Sequence, residues 1–349
     1  MKQDSCHGEF NELSKMNNFE YKSFFIWSAL FVSTVIAMTF SYLNLMRSKV
    51  SAQDQLAQIF TVKTDSPNKL QLNDFPIIKN AVVAPTLTAE SFISVSVTND
   101  GFEKILFEKN KEKQLPIASI TKLMTALVAS EKYKLDDIIT VSENSLKIDG
   151  LSGVYRAGDR FYFYNALRAM LIASHNEIAH TLAEKNGLSS FIDSMNKKAG
   201  ELGLLNTVFI NETGLDPVRS PMPLASVDPI NYSTVSDIYK LARYIKENNS
   251  DIFYITSQNE FNLFSVDKNL VGTIINTNKL LNDQEIPFRI IGGKTGATDL
   301  AKQSLVIVTE APCGGKIFNV VLDSQNRFED MKKILQYSNN SYDWSCENL

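Results

Sequence analysis

One stretch governs how this chain can be divided. Residues 23–46, SFFIWSALFVSTVIAMTFSYLNLM, run for 24 positions without a charge. A helix of about 20 apolar residues crosses the hydrocarbon of a bilayer, where unpaired backbone groups are costly. The run reads as an uncleaved signal-anchor of a single-pass cell-membrane protein. A short cytoplasmic segment, 1–22, precedes it, and the rest lies on the periplasmic or cell-wall side. Two other readings stay open. Val50-Ser51-Ala52 has the small residues that end a cleavable signal, and a buried core helix would need an upstream domain to bury it. Lys22 before the run and Arg47 and Lys49 after it are too evenly balanced to orient it.

A folded body must come from the residues C-terminal to this run. With 349 residues, 44% of them hydrophobic and 21% charged, the chain can bury one large core or two modest ones. A formal net charge of −4 gives no general attraction to nucleic acid, which is set aside as a partner. There is no Cys-x-x-Cys pair, and the three histidines, His7, His175 and His180, are too few for a rich metal cluster. A two-residue site around His175 and His180 competes with surface or core roles, and no metal is expected. Cys313 and Cys346 both lie beyond the apolar run; whether they pair depends on geometry.

Residues 47–89 read as an extracytoplasmic linker, polar at first, with Pro67, Pro76 and Pro85 and little periodicity. The folded domain is expected over 90–340, with 341–349 as a tail. Two strand-like runs flank Asn99-Asp100-Gly101, a hairpin turn. Pro116 sits ahead of a helix containing Ser119 and Lys122, and FYNALRAMLIAS forms a second helix ending at Ser174. Helical patterns occur near 176–186, 189–202 and 234–247, then strands in PFRIIGGKTGAT, QSLVIVTEA and KIFNVVLDS, and a short helix near 328–338. Two strands, a helical body, three strands and a last helix predict an α+β domain: an antiparallel sheet with helices packed on it.

The segment LPIASITKLMTALVAS puts a lysine on what should be a packing surface. Residues i and i+3 share a helix face, so Lys122 can aim its amine at the Ser119 hydroxyl. A serine alcohol is a poor nucleophile without a nearby base. A lysine becomes one when burial and adjacent positive charge favour its neutral form. Alone, Ser-x-x-Lys arises often by chance, and Ser174 and Asn176 are also ordinary helix-cap residues.

Ser119-x-x-Lys122, Ser174-His175-Asn176 and Lys294-Thr295-Gly296 occur together and in that order. The combination of Ser-x-x-Lys, Ser-x-Asn and Lys-Thr-Gly belongs to penicillin-binding proteins and class A β-lactamases. With LFEKNKEKQLPIASITKLMTALVA, NETGLDP, TNKLL and GGKTGATDLAKQSL, the chain resembles the D-alanyl-D-alanine carboxypeptidases, the low-molecular-weight penicillin-binding serine peptidases. The resemblance spans roughly residues 90–340. It implies a β-lactamase/penicillin-binding-protein-like serine transpeptidase fold, no cofactor, a peptidoglycan stem peptide as substrate and β-lactams as covalent inhibitors.

It also implies roles. Ser119 would attack the carbonyl between two D-alanines, Lys122 would take its proton, and Ser174 would relay a proton to the leaving amine. Asn176 would hold Lys122 and contact the substrate backbone. Lys294 would help keep Lys122 neutral and attract the terminal carboxylate, which Thr295 and Thr298 would hydrogen-bond. Gly296 would let the substrate approach the strand. The backbone N–H groups of Ser119 and Ala297 would form the oxyanion hole.

The chain departs from the family at several points. His175 stands where glycine is common, which narrows the cleft and introduces a group that titrates near neutral pH. Glu177 replaces a frequent aspartate. No second β-rich domain follows, so the chain reads as a reduced form with its attachment moved to the N-terminus. Endopeptidase, transpeptidase and silent peptidoglycan-binding readings stay open. For a β-lactamase, Glu201 begins a Glu-x-x-Leu-Asn element, but Leu205 occupies the asparagine position. Oligomeric state is not legible.

Overall fold

At Asn99-Asp100-Gly101 the chain reverses, and Gly101 takes the positive φ (84°) that such a tight turn needs. The turn joins β1 (Ser91–Val97) to β2 (Glu103–Lys109) in an antiparallel hairpin. The computed structural model describes residues 76–79, 82–150, 152–217 and 230–345. A one-turn 3-10 segment, Ala118–Ile120, leads into α1 (Thr121–Lys132). The helices α2 (Phe163–Ile172), α3 (Asn176–Glu184), α4 (Leu188–Glu201), α5 (Val235–Asn248) and the short α6 (Asp251–Thr256) come after it. Next are a separate hairpin, β3 (Glu260–Phe264) with β4 (Leu270–Ile275), and three long strands. These are β5 (Ile290–Thr298), β6 (Lys302–Glu310) and β7 (Lys316–Ser324), and α7 (Arg327–Ser341) comes last.

The strands form one antiparallel sheet in the order β5-β6-β7-β1-β2. Side chains alternate across a sheet, so each strand serves two cores. Leu305 and Ile307 of β6, with Ile317 and Val321 of β7, face Met331, Ile334 and Leu335 of α7. Their neighbours Val306, Val308, Phe318, Val320 and Leu322 face the helical body instead. That body is built round α1, whose residues Thr121 to Ala129 are all buried. A helix apolar on every side must be enclosed on every side, and α2, α3, α4 and α5 enclose it. Capping sets two of the helix starts. Thr234 accepts from the Asp237 N–H to begin α5, and Asn326 accepts from the Glu329 N–H to begin α7.

The α+β expectation matches this architecture, with two additions. The β3–β4 hairpin is not among the expected elements, and α7 is longer than 328–338. Residues on both sides of the 90–340 block also take part: Ile77–Ile78 pairs with Tyr342–Asp343, and Trp344 packs edge-on against Phe288.

The membrane expectation is corrected. Among the described residues no helix is long and apolar enough to cross a membrane, and the run 23–46 lies outside those residues. The transmembrane helix, the single-pass membrane location and the cytoplasmic membrane as a partner therefore find no support among the described residues and are not carried further. The 47–75 part of the linker, Cys346 and the proline-rich segment 218–229 also lie outside the described residues.

Candidate active site

Ser119 stands in the 3-10 turn rather than on α1 itself. Ala118 enters that turn at φ 46°, a costly conformation for a residue with a Cβ, and two glycines allow it. Gly214, at φ 81°, lies so close that a Cβ there would overlap the Ala118 carbonyl. Gly296 of β5 closes the other side. A Cβ on it would sit 3.0 Å from the Ile117 carbonyl oxygen and 3.1 Å from the Ser119 nitrogen. A glycine at 296 therefore lets the serine turn pack closely against β5.

Lys122, one turn on, is fully enclosed. Its Nζ lies 2.8 Å from Ser119 Oγ, 2.7 Å from Asn176 Oδ1 and 2.7 Å from the Thr213 carbonyl. Two of these partners can only accept. A neutral amine that gives its two N–H groups to Asn176 and Thr213 keeps its lone pair for the Ser119 hydroxyl. Burial lowers the Lys122 pKa to about 7, although the Glu212 and Glu177 carboxylates work against that. Asn176 opens α3 and is itself held, its Nδ2 donating to the carbonyls of Asp149 and Gly150, both at 3.2 Å.

A second cluster faces the first. Ser174 sits at φ 64° between α2 and α3, and its Oγ accepts from Lys294 Nζ at 2.9 Å. Lys294 also donates to the Thr295 carbonyl at 2.8 Å. Burial holds Lys294 well below an ordinary lysine pKa, and the charges of Lys122 and Arg327 push the same way. The strand carrying it, β5, is an edge of the sheet, paired only with β6. At its start the Gly293 N–H is taken by Thr256 Oγ1 at 2.9 Å, and further along Ala297 is exposed.

The two threonines are already engaged. Thr295 Oγ1 is 2.5 Å from Thr277 Oγ1, and Thr298 Oγ1 donates to Asp216 Oδ1 at 2.8 Å. The other Asp216 oxygen accepts from the Leu300 N–H at 3.0 Å. Arg327, the first residue of α7, reaches beneath β5 and donates to the Gly296 carbonyl at 2.7 Å.

Thus Ser119, Lys122 and Asn176 are joined directly, Ser174 and Lys294 likewise, and Gly296 packs on the serine turn. The residues that sequence reasoning misses are Thr213, Asp216 and Arg327. NETGLDP marks the family without giving its residues roles, and a lone arginine at a helix start carries no signal. The expectation for His175 is corrected. Its Nδ1 lies 2.6 Å from the Tyr155 hydroxyl, and burial lowers its pKa to about 4, so the ring stays neutral near neutral pH. His180 turns elsewhere, to Glu212, and among the described residues no group of three or more His, Cys, Asp or Glu side chains could hold a metal ion. Glu201 is tied to Lys198 at 2.9 Å at the end of α4.

An antiparallel sheet against a helical body, with Ser-x-x-Lys, Ser-x-Asn and Lys-Thr-Gly meeting between them, defines a penicillin-binding type of serine peptidase. The model of the D-alanyl-D-alanine carboxypeptidase family (peptidase S11) matches residues 78–326, and the chain belongs to that family. It is 30% identical to the D-alanyl-D-alanine carboxypeptidase DacF of Bacillus subtilis, over 58% of this chain and 50% of that protein. It is 31% identical to a D-alanyl-D-alanine endopeptidase of Pseudomonas aeruginosa, over 62% of this chain and 66% of the relative. The chain thus spans half to two thirds of these curated relatives. Among solved structures, the Streptomyces K15 DD-transpeptidase superposes with a TM-score of 0.64 at 26% identity, covering 74% of this chain and all of that one. The cefotaxime-bound penicillin-binding protein D2 of Listeria monocytogenes gives 0.61 at 26% identity, with 74% and 100% coverage.

Proposed function

We propose that this chain is a serine-type D-Ala-D-Ala carboxypeptidase that removes the terminal D-alanine from peptidoglycan stem pentapeptides. One observation carries the reading: a fully buried amine held against Ser119 by two partners that can only accept. Ser119 Oγ attacks the carbonyl between the two D-alanines while its proton passes to Lys122 Nζ. The oxyanion is met by the N–H groups of Ser119 and Ala297. As the C–N bond breaks, a proton reaches the leaving nitrogen through Ser174, and D-alanine departs. Water then attacks the ester and gives a proton to Lys122, which passes it to Ser119 Oγ as the Ser119–acyl bond breaks and the shortened peptide is released. Asn176 keeps Lys122 in place, and Lys294, Thr295 and Thr298 receive the terminal carboxylate. A β-lactam undergoes the same first step and leaves slowly.

A second reading, a D,D-endopeptidase that cuts crosslinks, is supported by the likeness to a D-alanyl-D-alanine endopeptidase. The two are separated by incubating the full chain with a pentapeptide muropeptide and with a crosslinked dimer, tracking products by mass spectrometry. Release of one D-alanine, lost in Ser119→Ala, is the expected result. Cleavage of the dimer alone moves the assignment to endopeptidase. Absence of both, with no penicillin labelling of Ser119, overturns the catalytic reading.

A further inference from the structure

The Lys122 amine is the centre of a larger polar array. On α1, Lys122 and Thr125 lie one turn apart. On α3, Asn176 and His180 are similarly spaced, four residues apart on one face. Between them runs the loop segment Glu212-Thr213. Lys122 donates to the Thr213 carbonyl at 2.7 Å, and Thr125 Oγ1 donates to the Glu212 carbonyl at 2.7 Å. The Glu212 carboxylate turns the other way and meets His180 Nδ1 at 2.8 Å. The Glu212 side chain is 4% exposed and that of His180 14%, so the pair is almost out of solvent. Asn211, the next residue back, closes the loop by accepting from the N–H groups of Thr213 and Gly214.

We propose that Glu212 and His180 form a positioning pair for Lys122. They fix the loop whose carbonyl takes one of its N–H groups, and their combined charge governs how firmly the amine keeps its proton. The inference rests on the reading of Lys122 as the base for Ser119. The titratable groups around Lys122 are Glu177 and His175 from the start of α3, Glu212 from the loop and Lys294 from β5. His175 is neutral in the working range, and Glu177 is fixed by the Ser152 N–H and hydroxyl. Around His180 stand Glu212 and Glu184, and the hydrogen bond to Glu212 raises its pKa.

Charge alone gives the sign. While His180 is protonated, the pair is neutral overall and leaves Lys122 free to lose its proton. Once His180 is neutral, the Glu212 carboxylate is uncompensated and favours the ammonium form. Removing the carboxylate therefore places the base limb of acylation at lower pH than removing the histidine does, with the wild type between the two. A carboxylate near a lysine shifts its ionisation by about one unit when the two are not in direct contact.

The test is the second-order rate of acylation of the full chain by a fluorescent penicillin across the pH range, for wild type, Glu212→Gln, Glu212→Asp and His180→Gln. The expected result is a Glu212→Gln midpoint about one pH unit below that of His180→Gln, with the wild type between them and Glu212→Asp restored to the wild-type value. Midpoints unmoved in both, or moved the same way, overturn the proposal, because a purely structural defect lowers the rate without opposite shifts. If Glu212→Gln is recovered unfolded, His180→Gln decides alone: an upward shift supports the pair and none overturns it. Ser119→Ala runs beside them. Labelling that persists in it would fail the underlying reading, whereas labelling lost with unmoved midpoints fails this inference only.

Discussion

A lysine enclosed as fully as Lys122 cannot keep an ordinary pKa, and its chemistry and its energetic cost have one origin. With its pKa near 7, acylation of Ser119 by a penicillin should rise with pH through about 7 and then level. His175→Ala should lower the rate without moving that midpoint, since the ring is already neutral above about 4. The same burial bears on stability. The unfolded chain keeps the proton to about 10.4, the folded chain loses it near 7, so in that window the unfolded state binds more protons. The contribution of this group to stability therefore rises with pH between those values, and denaturant titrations of wild type against Lys122→Met should show the difference in slope. At this scale much was legible. The approach of Lys122 to Ser119 is a consequence of their spacing, and Lys294 opposite Ser174 of the motif order. What could not be read were contacts through backbone atoms. Thr213 serves by its carbonyl, which any residue possesses, and Arg327 by reaching a carbonyl from the far side of the strand.

Elements position those residues, and the junction between them depends on glycine. Gly214→Ala would drive a Cβ into the Ala118 carbonyl at a positive φ, a loss of about 2–4 kcal/mol measurable by denaturant unfolding. Gly296→Ala asks its neighbours for only a few tenths of an ångström. It should leave the melting temperature within a few degrees while slowing acylation roughly tenfold, because displacement of a reacting group is felt in rate first. The long strands and helices were legible because their alternation and 3.6-residue period are carried by buried faces. The β3–β4 hairpin was not, for the converse reason. It does have an inner face, with Phe261, Leu263 and Ile274 buried, but Phe264, Leu270 and Ile275 are exposed on the other, so apolar residues on both faces blur the alternation.

Across the whole molecule, the two faces of one sheet have different guardians. The helical body covers one, and α7 covers the other with Met331, Ile334 and Leu335. The family match ends at residue 326, one position before that helix begins. A chain stopped there should lose cooperative unfolding and penicillin labelling together, since Phe92, Leu305, Ile307 and Val321 would be left bare. Ile334→Ala, a milder probe of the same face, should cost about 2–5 kcal/mol with labelling retained below its new midpoint. The α+β layout was legible as an order of strands and helices; which face α7 would cover was not, because either face of a sheet buried on both sides is apolar. The reactive serine, finally, is held between a glycine from the loop of the helical layer and a glycine from the edge strand. Its reactivity is thus a strain gauge for the docking of the two layers. A labelled penicillin, added during refolding or mild heating, would register their separation before circular dichroism sees any helix or strand lost.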